Sequence, residues 1–199
     1  MRRIGILLSG RGSNFAAIAN NIAAGSLDAE IAIVIANKPE AGGLETAQRL
    51  GIPATCLPSK GLEREAYDRQ VIAELHKHQV ELVCLAGYMR LLSAAFVREF
   101  PLRILNIHPS LLPAFPGLDA QHQAFEYGAR VSGCTVHFVD EKLDHGPILL
   151  QEAVAVENGD TTESLSARIL AAEHRIYSQA IAIVLPGRYR IDGRRVILT

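Results

Sequence analysis

Ile104-Leu105-Asn106-Ile107-His108-Pro109-Ser110-Leu111-Leu112-Pro113 begins as a short apolar strand and ends in a proline-punctuated loop. Side chains alternate faces along a strand, so Asn106 and His108 are expected to point the same way. Pro109 ends ladder pairing, which places both side chains where a strand opens into a cleft. An amide that can donate to a developing oxyanion there neighbours an imidazole that can move a proton near neutral pH.

Outward from this strand the chain alternates. Met1 to Ser9 reads as a first strand, Phe15 to Ile22 as a helix with Gly25 as its stop, and Ile31 to Ala36 as a strand buried on both faces. A helix from Gly43 to Leu50, a strand from Pro53 to Leu57 and an amphipathic helix from Glu63 to His78 follow. Leu82 to Ala86 is a fourth strand, Ser93 to Phe100 a helix, and Arg103 to Ile107 the fifth strand. This alternation specifies an α/β, Rossmann-like fold: a mostly parallel twisted sheet, wound right-handed, with helices on both faces. Ligands of such sheets bind beyond the carboxyl ends of the strands, so Gly10 to Asn14, Gly87 to Arg90 and His108 to Pro113 are expected on one edge. Past residue 117 the pattern changes. Leu118 to Tyr127 reads as a helix, Cys134 to Val139 and Ile148 to Val156 as strands, Thr162 to Leu185 as a long helix, and Arg188 to Leu198 as a hairpin closing on Asp192-Gly193. Antiparallel pairing is expected in this C-terminal part.

Composition narrows the function classes. The chain has 199 residues, 20 basic against 21 acidic and 49% apolar, which suits one globular domain and gives no charge argument for a nucleic-acid or membrane partner. The apolar run Ile4 to Leu8 is too short for a signal peptide, and no stretch is long enough to span a bilayer. Cys56, Cys84 and Cys134 are odd in number and widely spaced, as buried small hydrophobes of a reducing cytosol are. A cytoplasmic protein follows, with no zinc-spaced ligand set and no expected metal.

Three further segments carry chemistry. Gly10-x-Gly12-Ser13-Asn14 joins a strand to a helix, where glycine admits an anion and the helix start offers unpaired N–H groups; an ordinary capped turn has the same pattern. Phe15 occupies the third glycine position of a dinucleotide fingerprint, and Lys38-Pro39 offers no acid to grip a ribose, which disfavours a nicotinamide oxidoreductase. In Leu143-Asp144-His145-Gly146-Pro147, Asp144 is an acid able to reach the cleft and favour the imidazolium form of His108, while His145 and Glu141 read as solvated turn residues. Thr135 and His137 share a strand face, as a second layer around Asp144 or as a satisfied structural pair. Arg64 and Arg90 read as solvated charges, with Arg90 nearer the cleft, and Glu173 with His174 as part of a solvated helix face.

Together, Gly12-Ser13-Asn14, Leu85-Ala86-Gly87-Tyr88-Met89-Arg90, the Asn106 to Pro113 segment and Leu143 to Pro147 resemble the phosphoribosylglycinamide formyltransferase family of folate-dependent enzymes. The resemblance runs from the first strand to about Tyr177, and Phe115-Pro116-Gly117 strengthens it. It implies a single domain over 1–199, with a nucleotide-binding half at 1–107 and a folate and catalytic half at 108–199. It implies Asn106, His108 and Asp144 as catalytic residues. Gly12, Ser13, Asn14, Gly87, Pro109 and Glu173 would contact the ribonucleotide. Arg64, Met89, Arg90, Leu91, Leu92, Asp140, Glu141, Lys142 and Leu143 would surround 10-formyltetrahydrofolate, a co-substrate. The substrates would be small molecules and the protein a monomer or weak homodimer. The chain departs from relatives at Asp119, where histidine is common, and at His145, where a small residue is usual. A formyltetrahydrofolate hydrolase is similar in its catalytic segment and stands as the alternative. It is usually preceded by a regulatory domain, whereas here the first strand begins at the first residues.

Overall fold

A computed structural model describes residues 2–199, which form two compact units dividing between Leu105 and Asn106. The first strand, β1 (Arg2–Leu8), is buried from Ile4 onward, as its unbroken apolar run demands; Met1 lies outside the described residues. It is followed by α1 (Ser13–Ala23), β2 (Ala29–Ala36), α2 (Gly42–Arg49), β3 (Ala54–Cys56), α3 (Arg64–Lys77), β4 (Leu82–Leu85), α4 (Ala94–Glu99) and β5 (Ile104–His108).

In the first unit the strand order is β3-β2-β1-β4-β5, and β2 and β4 pair parallel to β1, as β3 does to β2. Helix α3 packs closely on this sheet: a Cβ at Gly5 would lie 2.6 Å from Leu75 Cδ2. Tyr67, Val71 and Leu75 of α3 are fully buried. The loop after β4 is anchored by buried Asp68, which accepts the Ser93 N–H at 2.6 Å, and the Ser93 hydroxyl in turn caps α4.

The second unit holds the end of β5, then α5 (Ala120–Tyr127), β6 (Val131–Phe138), β7 (Ile148–Ala155), α6 (Thr162–Val184), β8 (Tyr189–Asp192) and β9 (Arg195–Leu198). Its strand order is β5-β6-β7-β9-β8, with β6–β7 and β8–β9 antiparallel and β9 touching β7 in parallel at Ile148↔Arg195. Strand β6 starts three residues before the expected Cys134, because Val131, Ser132 and Gly133 pair with Ala155, Val154 and Ala153. Helix α5 starts at Ala120 rather than Leu118, since Asp119 takes a left-handed conformation at φ 55°. Between Val136↔Leu150 and His137↔Ile148 the register slips by one residue, leaving Leu149 unpaired as a bulge beside His137. Helix α6 is opened by a reciprocal cap, Thr161 with Ser164. Among the described residues no helix is long and apolar enough to cross a membrane.

Candidate active site

Asn106 and His108 leave β5 on one face, as the strand period requires, and meet the 139–147 loop and the bulged end of β6. His108 is 4% exposed. Its Nε2–H donates to the Phe115 carbonyl at 2.9 Å, and its Nδ1 lies 3.5 Å from Asp144 Oδ2. Both ring nitrogens thus face acceptors, and the imidazolium form supplies a proton to each. Asp144 holds a left-handed backbone at φ 48°, a conformation that short polar side chains tolerate best. Its carboxylate, only 7% exposed, accepts the Gly117 N–H at 2.8 Å. Gly146, two residues on, has no room for a Cβ, which would fall 1.8 Å from Phe138 O.

His137 completes the cluster. It is 2% exposed, and burial pushes its pKa down, with the Asp144 charge opposing that shift more weakly. The neutral ring must carry its proton on Nδ1, which donates to Phe138 O at 2.8 Å. Nε2 is then a lone pair, and it accepts from the Asn106 Nδ2 at 3.2 Å. His137 Nε2 also lies 3.8 Å from Asp144 Oδ1. Of the two readings open for Thr135, its contacts fit the structural one. Its hydroxyl donates to Ser110 O at 2.7 Å and accepts the Leu112 N–H at 3.0 Å, bracing the loop that follows His108.

Around the loop, Asp140 accepts from Lys142 N, and Glu141, Lys142 and Leu143 are exposed. His145, expected as a solvated turn residue, is exposed but engaged: its Nδ1 lies 2.7 Å from Asp140 Oδ2. Pro109 follows His108 half-buried. Glu173 is 6% exposed in α6 and is therefore no member of a solvated helix face. Burial, then the Glu173 charge, pushes the Cys134 thiol up to about 12, so that cysteine is not a thiolate nucleophile.

The first unit carries the remaining candidates. Gly12 stands at φ 73° before α1, and a Cβ there would lie 2.9 Å from Gly43 Cα, so the turn is both left-handed and closely packed. Ser13 and Asn14 form the first turn of α1, with its backbone N–H groups at the helix start. This turn is tied to the loop after β4: Ser9 N donates to Gly87 O at 3.0 Å and Ser9 Oγ accepts from Met89 N at 2.8 Å. Arg64 and Arg90 line one cavity of about 630 Å³ together with Leu62, Glu63, Leu91 and Ser93. Arg90 is no free surface charge: its guanidinium lies over the Tyr67 ring at 4.7 Å and donates to Leu62 O. Met89 and Leu91 are exposed, and Leu92 is half-buried.

The groups that sequence reasoning did not find are Phe115 O, Gly117 N–H and Gln151, which donates to Leu112 O at 2.9 Å. Only Phe115-Pro116-Gly117, quoted for its resemblance, pointed at the first two. Among the described residues no three His, Cys, Asp or Glu side chains stand together as metal ligands.

An α/β sheet with an amide, an imidazole and a carboxylate converged at a strand's carboxyl end is the arrangement of an enzyme equipped to stabilise an oxyanion and move a proton. The chain belongs to the formyl transferase family, whose model matches residues 2–181. Within that family its similarity falls on phosphoribosylglycinamide formyltransferases. That of Bacillus subtilis is 42% identical over 186 residues, 93% of this chain and 95% of the relative. The crystal structure of glycinamide ribonucleotide transformylase 1 from Symbiobacterium toebii is 51% identical with a TM-score of 0.97, covering 100% of this chain and 94% of that one. A formyltetrahydrofolate deformylase structure from Pseudomonas syringae is more distant, at 28% identity and a TM-score of 0.93, with 99% of this chain matching 65% of that one. The chain spans a much smaller share of the trifunctional purine biosynthetic proteins it matches, 19% of the Bos taurus protein at 45% identity.

Proposed function

We propose that this protein transfers the formyl group of 10-formyltetrahydrofolate to the amine of 5'-phosphoribosylglycinamide, a step of purine synthesis. The observation that carries the reading is the convergence of Asn106, His108 and Asp144, with His108 Nδ1 3.5 Å from the Asp144 carboxylate. The substrate amine attacks the formyl carbon and builds negative charge on its oxygen. The Asn106 amide and the His108 imidazolium stabilise that oxyanion. As the tetrahedral species collapses, the bond from carbon to the folate N10 breaks and the attacking amine's proton passes to N10. Asp144, opposite His108, keeps the imidazolium charge in place and relays this proton through water. Transfer is direct, without a formyl-enzyme.

Gly12, Ser13, Asn14, Gly87, Pro109 and Glu173 hold the ribonucleotide, the α1 start taking its phosphate. Arg64, residues 89–92 and the 140–143 segment hold the folate. The carboxylates of the donor's tail suit the cavity that Arg64 and Arg90 share. The protein works in the cytoplasm as a monomer or weak homodimer on these two small molecules, without a metal.

The test is a spectrophotometric assay of folate turnover with and without the ribonucleotide. Formyl transfer requires the acceptor. Release of formate in its absence, at an undiminished rate, would instead make the protein a deformylase.

A further inference from the structure

The C-terminal hairpin of β8 and β9 grips the 139–147 loop at three points. At the loop's start, Tyr189 packs against Phe138 with ring centroids 5.2 Å apart. At its end, Arg195 pairs with Ile148. Between these, Arg194 at the hairpin turn reaches the loop's exposed middle. Its Nη1 lies 3.0 Å from His145 Nε2 and 3.3 Å from His145 Nδ1, and its Nη2 donates to the His145 carbonyl. His145 Nδ1 lies 2.7 Å from Asp140 Oδ2, and Asp140 Oδ1 accepts the Lys142 N–H at 2.9 Å. A chain of polar contacts therefore runs from the hairpin tip across the loop to Asp140 near its start.

The loop needs such a hold. Glu141, Lys142 and Leu143 are exposed, while neighbouring Asp144 sits in a left-handed conformation that must be kept. Packing fixes the two ends through Phe138 and Gly146. On the exposed middle, Arg194 adds a hold from outside the loop.

We infer that Arg194 is a positioning residue for the formyl donor: through His145 and Asp140 it holds the loop in the shape that presents residues 140–143 to the folate and Asp144 to His108. This rests on the reading that the loop takes the folate. Arg194 touches neither substrate nor reacting atoms, so its loss acts on donor binding before it acts on chemistry.

The experiment uses the full chain with Arg194→Ala, Arg194→Lys and His145→Ala, varying donor and ribonucleotide separately, and amide hydrogen exchange without substrates. For Arg194→Ala the expected result is a KM for the formyl donor raised about three- to tenfold, the scale of one partly exposed charged contact. The KM for the ribonucleotide stays unchanged, and exchange at residues 141–145 is faster. His145→Ala reproduces this pattern by removing the other half of the contact, and serves if the arginine variant does not fold. Arg194→Lys, which keeps the charge and a donor, recovers part of the loss. Unchanged exchange in the alanine variants, or faster exchange with both KM values unchanged, overturns the inference. Asp144→Asn run alongside separates the two readings: full turnover there refutes the catalytic role of Asp144, while exchange in Arg194→Ala still decides whether the hairpin holds the loop.

Discussion

Thr135→Val replaces a hydroxyl with a methyl of nearly the same size, so it opens no cavity and isolates the polar bracing of the loop after His108. Thr135 is fully buried, donates to Ser110 O at 2.7 Å, and accepts from Leu112 N at 3.0 Å and Gln151 Nε2 at 3.0 Å. Valine strands the Ser110 carbonyl and the Leu112 N–H in the interior, whereas the exposed Gln151 keeps its bond to Leu112 O and turns only its freed hydrogen to water. Each buried group left without a partner costs about 1–3 kcal/mol, so the pair gives about 2–6 kcal/mol of lost stability. The consequence reaches chemistry, because the same loop runs on to Phe115, whose carbonyl accepts both the His108 Nε2–H and the Ser110 hydroxyl. Urea unfolding of wild type, Thr135→Val and Thr135→Ser measures it, the serine variant keeping the oxygen and most of the stability. A loss under about 1 kcal/mol for valine would refute the reasoning, since one buried group alone should cost that much.

Asn106→Ala is expected to lower kcat by roughly 10²–10³, the usual cost of one oxyanion donor, in a protein with unchanged circular dichroism; a near-normal rate counts against the site. Asp144→Asn removes the charge facing His108 and is expected to cost about 10²–10⁴ in kcat, the range of general acid–base catalysis, measured at saturating concentrations of both substrates. Burial holds the His137 pKa below its ordinary 6.5, so as pH falls the unfolded chain takes up that proton first. Stability is therefore full above pH 6.5 and falls from there toward the lowered folded value, by at most about 1.4 kcal/mol per pH unit; His137→Gln should flatten that slope in urea titrations, and parallel curves would refute it. Arg64→Ala should raise the KM for the formyl donor by about tenfold, one charged hydrogen bond's worth, and leave that for the ribonucleotide unchanged.

What the sequence showed of the site was what side chains and strand period carry. Asn106 and His108 are two residues apart on a strand, so their common face follows from geometry alone, and Asp144 was an acid in a polar turn between apolar runs. Their immediate partners were hidden because they are backbone groups: Phe115 O and Gly117 N–H leave no trace in residue type. The solvated reading of Glu173 failed for a different reason: its charge was weighed above its register, although Leu165, Ile169, Ile176 and Ala180 stand at helical spacing from it and are buried. The start of β6 was missed because Ser132 and Gly133 weaken the strand signal, and pairing with β7 overrides that local preference.

The bulge at Leu149 was equally invisible, yet it bears on how two similar rings come to do different work. Asp144 stands 3.5 Å from His108 and 3.8 Å from His137, so distance barely separates the two imidazoles as partners for its charge. Their hydrogen-bond partners separate them. His137 gives its one proton to Phe138 O and offers only a lone pair inward, while His108 faces an acceptor at each nitrogen. A charged His137 would compete with His108 for the same carboxylate. It would also turn a donor toward the Asn106 amide, breaking that contact. Kept neutral, His137 takes one Asn106 Nδ2 hydrogen and leaves the other for the oxyanion of the proposed mechanism, so the electrostatics of the site depend on a ring that carries no charge.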